Sequence, residues 1–264
     1  MSNQLALITG ASSGIGEAFA RQIAKQGYDL CITGRRGENL ESIAVELRDK
    51  YKVRVDVIVA DLSAEDGIDK VVKWIRVNPS ITLLINNAGF GARGLFANKA
   101  PEIYVEMITV HVTAAMQLTS AVLPAMIKAK QGAIINVSSI TAYMPLAGNA
   151  VYSGTKSFLN AFTQALAFEL KNTGVKAQLL APGFTYSDFH KRPDYAKLDT
   201  YSSVPKFMWM KAEDVARISL HALERGEVHC IPGTLNKLIA LAGKSGLAAL
   251  GSKIMARRYK TPSK

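Results

Sequence analysis

Short apolar runs alternate with longer amphipathic segments along almost the whole chain, and this alternation constrains the fold more than any other feature. Seven runs have the length and composition of strands: residues 4–9, 28–33, 53–59, 81–86, 132–137, 175–180 and a short one near 228–231. Runs such as 55–59 and 133–137 are apolar on both alternating faces, which is typical of parallel strands covered by helices on both sides. The pattern predicts an α/β fold with a doubly wound parallel sheet. No linker divides the 264 residues, so we expect a single domain.

The first strand leads directly into a glycine-rich turn, Thr9-Gly10-Ala11-Ser12-Ser13-Gly14-Ile15-Gly16, after which a helix begins. Glycines allow a tight turn and let the backbone approach a pyrophosphate, to which a helix N-terminus offers N–H groups and a positive dipole end. In this position the turn predicts the dinucleotide-binding site of a Rossmann fold. The turn residues expected to contact the cofactor are Gly10, Ser12, Ser13, Gly14, Ile15 and Gly16.

The end of the second strand, Gly34-Arg35-Arg36, carries no carboxylate. An NAD-preferring enzyme has an acidic residue there to bond the ribose 2′-hydroxyl, and that residue would repel a 2′-phosphate. Arg35 can pair with a 2′-phosphate through its planar, permanently charged guanidinium, with Ser12 or Ser13 helping. Arg36 either does the same or is a solvated charge at the start of a helix. We therefore expect NADP(H) as the cofactor.

Tyr152 and Lys156 are four residues apart in a segment with helical spacing. On a helix they share one face, so the ammonium group can lie close to the phenol. A nearby cation favours phenolate and lowers the pKa of a tyrosine from its ordinary value of about 10. A tyrosine placed in this way can act as an acid or a base, although an isolated pair with this spacing is more often an ordinary helix face.

The glycine turn has the spacing T-G-x-x-x-G-x-G. Four further motifs follow it in order: Asn86-Asn87-Ala88-Gly89, Ser139, Tyr152-x-x-x-Lys156 and Pro182-Gly183. With this ordered set, nearly the whole chain resembles the short-chain dehydrogenase/reductase family, of the NADP(H)-preferring type. The resemblance implies a carbonyl reductase or secondary-alcohol dehydrogenase, an oxidoreductase that works through Ser139, Tyr152 and Lys156. It also implies a homodimer or homotetramer with a small-molecule substrate.

The resemblance implies roles for individual residues as well. Ser139 would donate a hydrogen bond to the substrate oxygen, and Lys156 would also bond the ribose of the nicotinamide. Asp61 would receive the adenine amino group, or it is a turn or helix N-cap residue. Asn87 would line the cofactor trough, or hold the strand to the loop as a turn amide, or do both. The remaining expected cofactor contacts are Leu62, Ala88, Gly89, Pro182, Gly183 and Thr185.

His111 departs from the family pattern. The family usually has an asparagine in this stretch, where it holds a water molecule in a proton relay, whereas the chain reads Thr109-Val110-His111-Val112-Thr113. A histidine both donates and accepts hydrogen bonds, so His111 could be a catalytic member of such a relay. It could equally be a structural histidine with both ring nitrogens satisfied.

Two segments follow the cofactor-binding and catalytic part, residues 1–185. By resemblance, residues 186–213 form a lid over the substrate. This lid carries Phe189, Tyr195, Tyr201, Phe207, Met208, Trp209 and Met210, with Pro193 and Pro205 favouring a loop. Such a lid suits an apolar or bulky substrate, although these side chains could also anchor the lid or contact another subunit. Residues 235–264 form a basic tail with apolar residues at helical spacing. We expect this tail to pack on its own domain or a sister subunit, with peripheral membrane contact as the alternative.

Charge and cysteine content narrow the remaining functions. The net charge is +11, and the seven lysines and arginines after Glu227, where no acidic residue occurs, account for most of it. Basic residues interleaved with stacking aromatics are missing, so we expect no nucleic-acid partner. Cys31 and Cys230 lie in apolar stretches, which indicates buried thiols rather than a disulfide or a metal site.

The chain starts on a strand, and no uninterrupted apolar run is long enough to cross a bilayer, so we expect a cytoplasmic protein. Two other functions compete with the enzyme. One is a low-turnover NADP(H)-binding sensor or scaffold on the same fold, to which only His111 points. The other is a structural protein that binds nucleic acid or membrane, for which only the charge of the tail argues.

Overall fold

The structure, a computed structural model, describes residues 4–191 and 204–244. Seven strands form one parallel sheet in the order β3-β2-β1-β4-β5-β6-β7. They are β1 Leu5–Thr9, β2 Asp29–Gly34, β3 Val55–Val59, β4 Ile81–Asn86, β5 Gly132–Val137, β6 Val175–Leu180 and β7 His229–Cys230. All seven predicted strands are confirmed, each to within two residues at either end.

Helices cover both faces of the sheet, as predicted. They are α1 Gly14–Lys25, α2 Gly37–Tyr51, α3 Glu65–Val77, α4 Pro101–Ile108, α5 Ala115–Ala129, α6 Ala150–Glu169, α7 Ala212–Glu224 and α8 Thr234–Lys244. The sheet has a hydrophobic core on each face, and successive strand residues point into opposite cores. Ile8 packs with α1, α2 and α7, whereas Leu7 packs with α3, α5 and α6. Both faces of β1 are therefore buried, which explains why its sequence is apolar from Leu5 to Ile8.

A single helical stretch, Pro101–Ala129, joins α4 and α5 through a π-helical turn at Thr109–Ala114. By length and mean hydropathy, 1.4, this stretch is long and apolar enough to cross a membrane. Instead it packs on the sheet and on α3 and α6, with Met107, Leu118 and Met126 in the core. The packing therefore identifies this stretch as a core helix of the domain.

The strand order reverses at β1, which pairs with β2 on one side and with β4 on the other. The crossovers therefore leave the sheet in opposite directions, and a crevice opens beyond the carboxyl ends of β1 and β4. Cys31 and Cys230 are buried and free, and burial raises the pKa of both thiols. Across residues 4–191 and 204–244, no group of three His, Cys, Asp or Glu side chains could hold a metal ion.

Candidate active site

The end of β1 and the end of β4 are fastened to each other by side-chain hydrogen bonds. The Thr9 hydroxyl oxygen accepts from the backbone N–H groups of Asn87 and Ala88 at 3.0 and 2.9 Å. The Asn87 amide donates back to the carbonyl oxygens of Thr9 and Gly10 at 2.9 and 3.2 Å. Asn87 thus holds the strand to the loop, which is one of its two expected roles. It also lines the cavity, so it could serve in its other expected role, lining the cofactor trough.

The glycines of the turn are required by close contacts between backbones. Gly10 has φ +66°, and a Cβ there would lie 2.8 Å from Cα of Ala88. Gly16, in the first turn of α1, lies so close to the glycine turn that a Cβ would be 2.4 Å from the carbonyl oxygen of Gly10. Gly14, with φ +59°, faces Ser187 at the start of the lid. The turn therefore brings bare backbone and the N-terminus of α1 to the cavity wall.

Both predicted arginines line the cavity, with different partners. Arg36 donates to the hydroxyl oxygens of Ser12 and Ser13, and its Nη1 lies 2.9 Å from the carboxylate of Asp188. Arg35 lies on the other side, with Nη1 3.6 Å from a carboxylate oxygen of Asp61. The serines were expected to help Arg35, but in this structure they hold Arg36.

Asp61 follows β3 and acts as a turn residue, accepting from the N–H and the hydroxyl of Ser63 at 3.0 and 2.8 Å. Partial burial would raise the pKa of this carboxyl, but the Ser63 hydrogen bonds and the Arg35 cation outweigh that and hold it below its ordinary value. Asp61 is therefore ionised at neutral pH. It lines the cavity beside Leu62, so the turn role and the expected adenine contact are compatible.

Ser139, Tyr152 and Lys156 meet on one wall of the same cavity. The strand β5 places Ser139 just past its carboxyl end, and α6 presents Tyr152 and Lys156 on one face. The Ser139 hydroxyl oxygen accepts from the N–H of Thr141 at 3.2 Å, and the hydroxyl acts on the Tyr152 phenol by lowering its pKa. Its neighbour Ser138 instead faces α6, with its hydroxyl oxygen 2.9 Å from the Lys156 carbonyl oxygen and 2.6 Å from the Asn160 side-chain amide.

The Lys156 ammonium lies 5.7 Å from the centre of the Tyr152 ring and donates to the Val137 carbonyl oxygen at 2.9 Å. Burial lowers the pKa of Lys156 to about 7. Burial also raises the pKa of Tyr152 to about 12, although the Ser139 hydrogen bond opposes the shift. This corrects the sequence prediction of a lowered tyrosine pKa, because the ammonium faces the ring and bonds to the main chain, so burial dominates. Tyr152 is accordingly a neutral phenol at physiological pH.

His111 lies behind this wall, in the π-helical turn, and is buried. Its Nε2 accepts the N–H of Phe90 at 2.9 Å, its Nδ1 lies 2.9 Å from the Thr155 hydroxyl, and its ring meets that of Tyr152 edge to face at 5.6 Å. Burial, and then the Lys156 cation, lower the pKa of His111 well below 6.5. Both nitrogens are thus used within the protein, which favours the structural alternative over the relay.

The loop after β6 forms a further wall of the cavity. Pro182 accepts the Ile140 N–H through its carbonyl oxygen at 3.0 Å, and the Thr185 hydroxyl donates to the Gly183 carbonyl at 3.1 Å. A Cβ at Gly183 would lie 2.3 Å from the amide oxygen of Asn236. The sequence did not single out Asn236, since a lone asparagine in an apolar helix carries no motif.

These parts enclose a cavity of about 810 Å³. It is lined by every predicted site residue except Gly16, which acts through the turn, and His111, which lies behind the wall. The apolar lining of the cavity includes several residues that sequence reasoning did not assign to the site, because they lie in loops without periodicity: Phe90, Met144, Leu146, Phe184 and Val204. Arg93 also lines the cavity.

Ile239 of α8, which the sequence placed only in the apolar stripe of the tail, lines the cavity as well. Leu238 and Leu241 of the same helix are exposed, so the prediction that the tail packs on its own domain is wrong for these two residues.

The described parts of the lid are fastened at both ends. Tyr186 donates to the Met210 carbonyl at 3.0 Å, and Met210 donates to the Phe184 carbonyl at 2.9 Å. Trp209 stacks on Tyr186 and donates to the Val204 carbonyl at 3.2 Å, so it anchors the lid. Phe189 reaches the site, with its ring 5.8 Å from that of Tyr152. Pro205 and Met208 line the cavity, Phe207 is exposed, and Pro193, Tyr195 and Tyr201 lie outside the described residues.

Comparison with known proteins gives consistent results. The sequence family described as short chain dehydrogenase matches residues 4–196. Serine 3-dehydrogenase of Agrobacterium fabrum is 36% identical over 188 residues, which cover 69% of this chain and 72% of that protein. A short-chain dehydrogenase from Sphingobium yanoikuyae in complex with NADPH has a TM-score of 0.83 at 30% identity, covering 99% and 98% of the two chains. The bulky-bulky ketone specific alcohol dehydrogenase of Comamonas testosteroni has a TM-score of 0.79 at 27% identity, covering 100% and 98%.

Proposed function

Since the chain belongs to the short-chain dehydrogenase family, in which the matched relatives act on alcohol or carbonyl groups, we propose that this oxidoreductase reduces an apolar or bulky ketone with NADPH. It would oxidise the matching secondary alcohol in the reverse direction. The observation that carries the proposal is that Ser139, Tyr152 and Lys156 line the same cavity as the two arginines and the glycine turn.

The residues at the cofactor end fit a nicotinamide dinucleotide that carries a 2′-phosphate. The glycine contacts leave backbone, rather than side chains, facing the cavity at the N-terminus of α1. Arg36, held by Ser12 and Ser13, and Arg35, beside Asp61, would bind the 2′-phosphate. The NADPH-bound structure from Sphingobium yanoikuyae supports this choice. When bound, the cofactor supplies the hydride.

The protein's own groups would handle the proton and the developing charge. Tyr152 is neutral at physiological pH, so it can donate its proton to the carbonyl oxygen as the hydride arrives. Ser139 would donate a hydrogen bond to the same oxygen and stabilise its negative charge. Lys156 would stabilise the phenolate that remains and bond the ribose of the nicotinamide.

The apolar end of the cavity supports a large, apolar substrate. The ring of Phe189 from the lid lies 5.8 Å from that of Tyr152, and Phe184 and Ile239 line the same cavity. Pockets of this composition exclude water and bind by area rather than by many polar contacts. The likeness to a ketone reductase with bulky substrates points in the same direction.

A cytoplasmic homodimer or homotetramer without a nucleic-acid partner remains part of this proposal.

The test is NADPH oxidation by the purified chain with ketones of increasing apolar size, with Tyr152→Phe assayed in parallel. We expect kcat/KM to rise with apolar size and the rate to fall by about 10²- to 10⁴-fold in Tyr152→Phe, since a positioned acid contributes that much. NADPH binding, measured by fluorescence, should persist in the variant. Tight NADPH binding without turnover of any ketone would overturn the proposal in favour of the sensor or scaffold.

A further inference from the structure

The first residues of the lid lie on the cofactor side of the cavity. Ser187 packs against the glycine turn, because a Cβ at Gly14 would lie 2.8 Å from Cβ of Ser187. The next residue, Asp188, places a carboxylate oxygen 2.9 Å from Nη1 of Arg36. Both lid residues line the cavity. A segment expected to cover the substrate therefore also contacts two parts of the chain that would hold phosphates of the cofactor.

The Arg36 guanidinium donates hydrogen bonds through all three of its nitrogens. Nε donates to the Ser12 hydroxyl oxygen at 3.2 Å, Nη2 to the Ser13 hydroxyl oxygen at 2.5 Å, and Nη1 to Asp188. The two serines fix the plane of the guanidinium, and the carboxylate is the charged acceptor among the three. A guanidinium binds carboxylates and phosphates through the same charge-assisted hydrogen bonds. Asp188 thus occupies Arg36 as an anionic ligand would.

The Arg36–Asp188 pair can exchange for a stronger anion. The two side chains are 44% and 39% exposed, so water reaches both and weakens their attraction. A phosphate monoester carries more negative charge than a carboxylate and offers three acceptor oxygens, so it can displace Asp188 from Arg36. The other arginine at this end of the cavity has a looser partner, since Arg35 lies 3.6 Å from Asp61, which Ser63 holds in its turn.

We propose that Asp188 sets the cofactor specificity of the site by competing with the 2′-phosphate of NADPH for Arg36. This rests on the proposed function, in which Arg36 binds that phosphate. The ion pair has to break before the phosphate can bind, so the lid lowers the affinity for NADPH. NADH has no 2′-phosphate and does not compete for Arg36. An NAD-preferring enzyme excludes the phosphate with an acid at the end of β2, whereas here an acid 152 residues further along the chain moderates the preference.

Calorimetric titration of the full chain with NADPH and with NADH, in the absence of substrate, tests the proposal. Asp188→Asn removes the charge and keeps the size, so we expect NADPH to bind about two- to five-fold more tightly, the range of a surface ion pair, and NADH to bind as before. In an Arg36→Ala background the same change should have no effect, because the competition needs both residues.

Asp214→Asn is the matched control. Asp214 pairs with Arg217 at 2.9 Å, is 48% exposed and lies on α7 outside the cavity lining. This change alters the net charge of the chain by the same amount, and both cofactors should bind to the variant as they do to the wild type.

Four results would overturn the proposal. Unchanged or weaker NADPH binding in Asp188→Asn would show that the carboxylate does not compete. Equal gains for NADPH and NADH would place the repulsion at the pyrophosphate that both cofactors share. A gain that persists in the Arg36→Ala background, or that recurs in Asp214→Asn, would assign the effect to charge alone.

The proposed function fails on different observations. Absence of ketone turnover would overturn it, yet the binding comparison needs no turnover and could still be made. Conversely, unchanged NADPH binding in Asp188→Asn would leave the ketone reductase intact. NADPH binding that Arg36→Ala does not weaken would remove the phosphate contact that the two proposals share.

Discussion

Nδ1 of His111 donates its proton to the hydroxyl oxygen of Thr155, 2.9 Å away. The direction follows from the neighbours, because the only hydroxyl proton of Thr155 is donated to the Tyr152 carbonyl oxygen at 2.8 Å. Nε2 accepts the Phe90 N–H, so the ring is the neutral Nδ1–H tautomer. His111 thereby connects the loop after β4 to the second turn of α6, one turn after Tyr152, and it is a positioning residue for Tyr152.

Thr155→Val keeps the shape of this side chain but leaves the buried Nδ1–H unpaired. We expect the free energy of unfolding to fall by about 1–3 kcal/mol and kcat to fall with little change in KM for NADPH. Thr155→Ser, which keeps the hydroxyl, is the control.

The pH dependence of turnover tests whether His111 titrates. Because His111 stays neutral, the pH profile of kcat in His111→Asn should keep the same rising and falling limbs as the wild type. A limb near pH 6.5 that is present only in the wild type would show that His111 titrates during turnover.

Arg36 and Arg35 should contribute unequally to cofactor preference. Arg36 is already oriented by Ser12 and Ser13, whereas Arg35 is more than half exposed and paired with Asp61. Arg36→Ala should therefore weaken NADPH binding by about ten-fold or more and leave NADH binding nearly unchanged, with a smaller loss in Arg35→Ala. Titration calorimetry with both cofactors measures this. A larger loss in Arg35→Ala would restore the assignment made from the sequence.

Two glycine-to-alanine changes should have opposite effects. In Gly16→Ala the new methyl group would meet the Gly10 carbonyl and the Asn87 amide, so we expect loss of NADPH binding and a marked fall in melting temperature. Gly154 lies in α6 with nothing within 4 Å of its Cβ position, so Gly154→Ala should stabilise the chain by about 0.5–1 kcal/mol. Similar melting temperatures for both variants would contradict the packing of the turn.

Lys156 should make stability depend on pH in the absence of cofactor. Its pKa is about 7 in the folded chain against an ordinary value of 10.5, so between these values only the unfolded chain binds the proton. Stability then rises with pH, by up to about 1.4 kcal/mol per unit for this group, and the gain is absent below pH 7. Lys156→Met should lack this rise in urea unfolding measured from pH 6.5 to 9. Parallel slopes for the two proteins would mean that Lys156 is charged in the folded chain.

The sequence predicted the sheet well because strands buried on both faces are apolar over most of their length, as in Leu5–Ile8 of β1 and Ala133–Ile135 of β5. The residues of the glycine turn and the Ser139–Tyr152–Lys156 group were predictable because their chemical roles require a characteristic spacing and order along the chain. What spacing cannot give is which side chain faces which. Ser12 and Ser13 bond to Arg36 rather than Arg35 because α2 begins there and turns Arg36 toward the glycine turn.

Burial was the other quantity that the sequence did not supply. The i, i+4 spacing brought Lys156 close to Tyr152 as expected, but the sign of the tyrosine pKa shift depended on how completely the wall excludes solvent. The orientation of α8 was similarly hidden, because its apolar spacing is the same whether the leucines face the protein or the solvent. Contacts with Tyr143 and Gly183 decide the orientation, and these lie far away in the sequence.

The hydrogen bonds between Phe184, Tyr186 and Met210 tie the lid at its two ends, next to the cavity but outside the glycine turn and α6. Ser187 and Asp188, just inside the first tie, face Gly14 and Arg36 and so belong with the cofactor site. A protein engineer can treat the segment from 189 to 209 as exchangeable if these two residues are kept, and grafting it from a relative should transfer substrate range while the cofactor preference stays with the host.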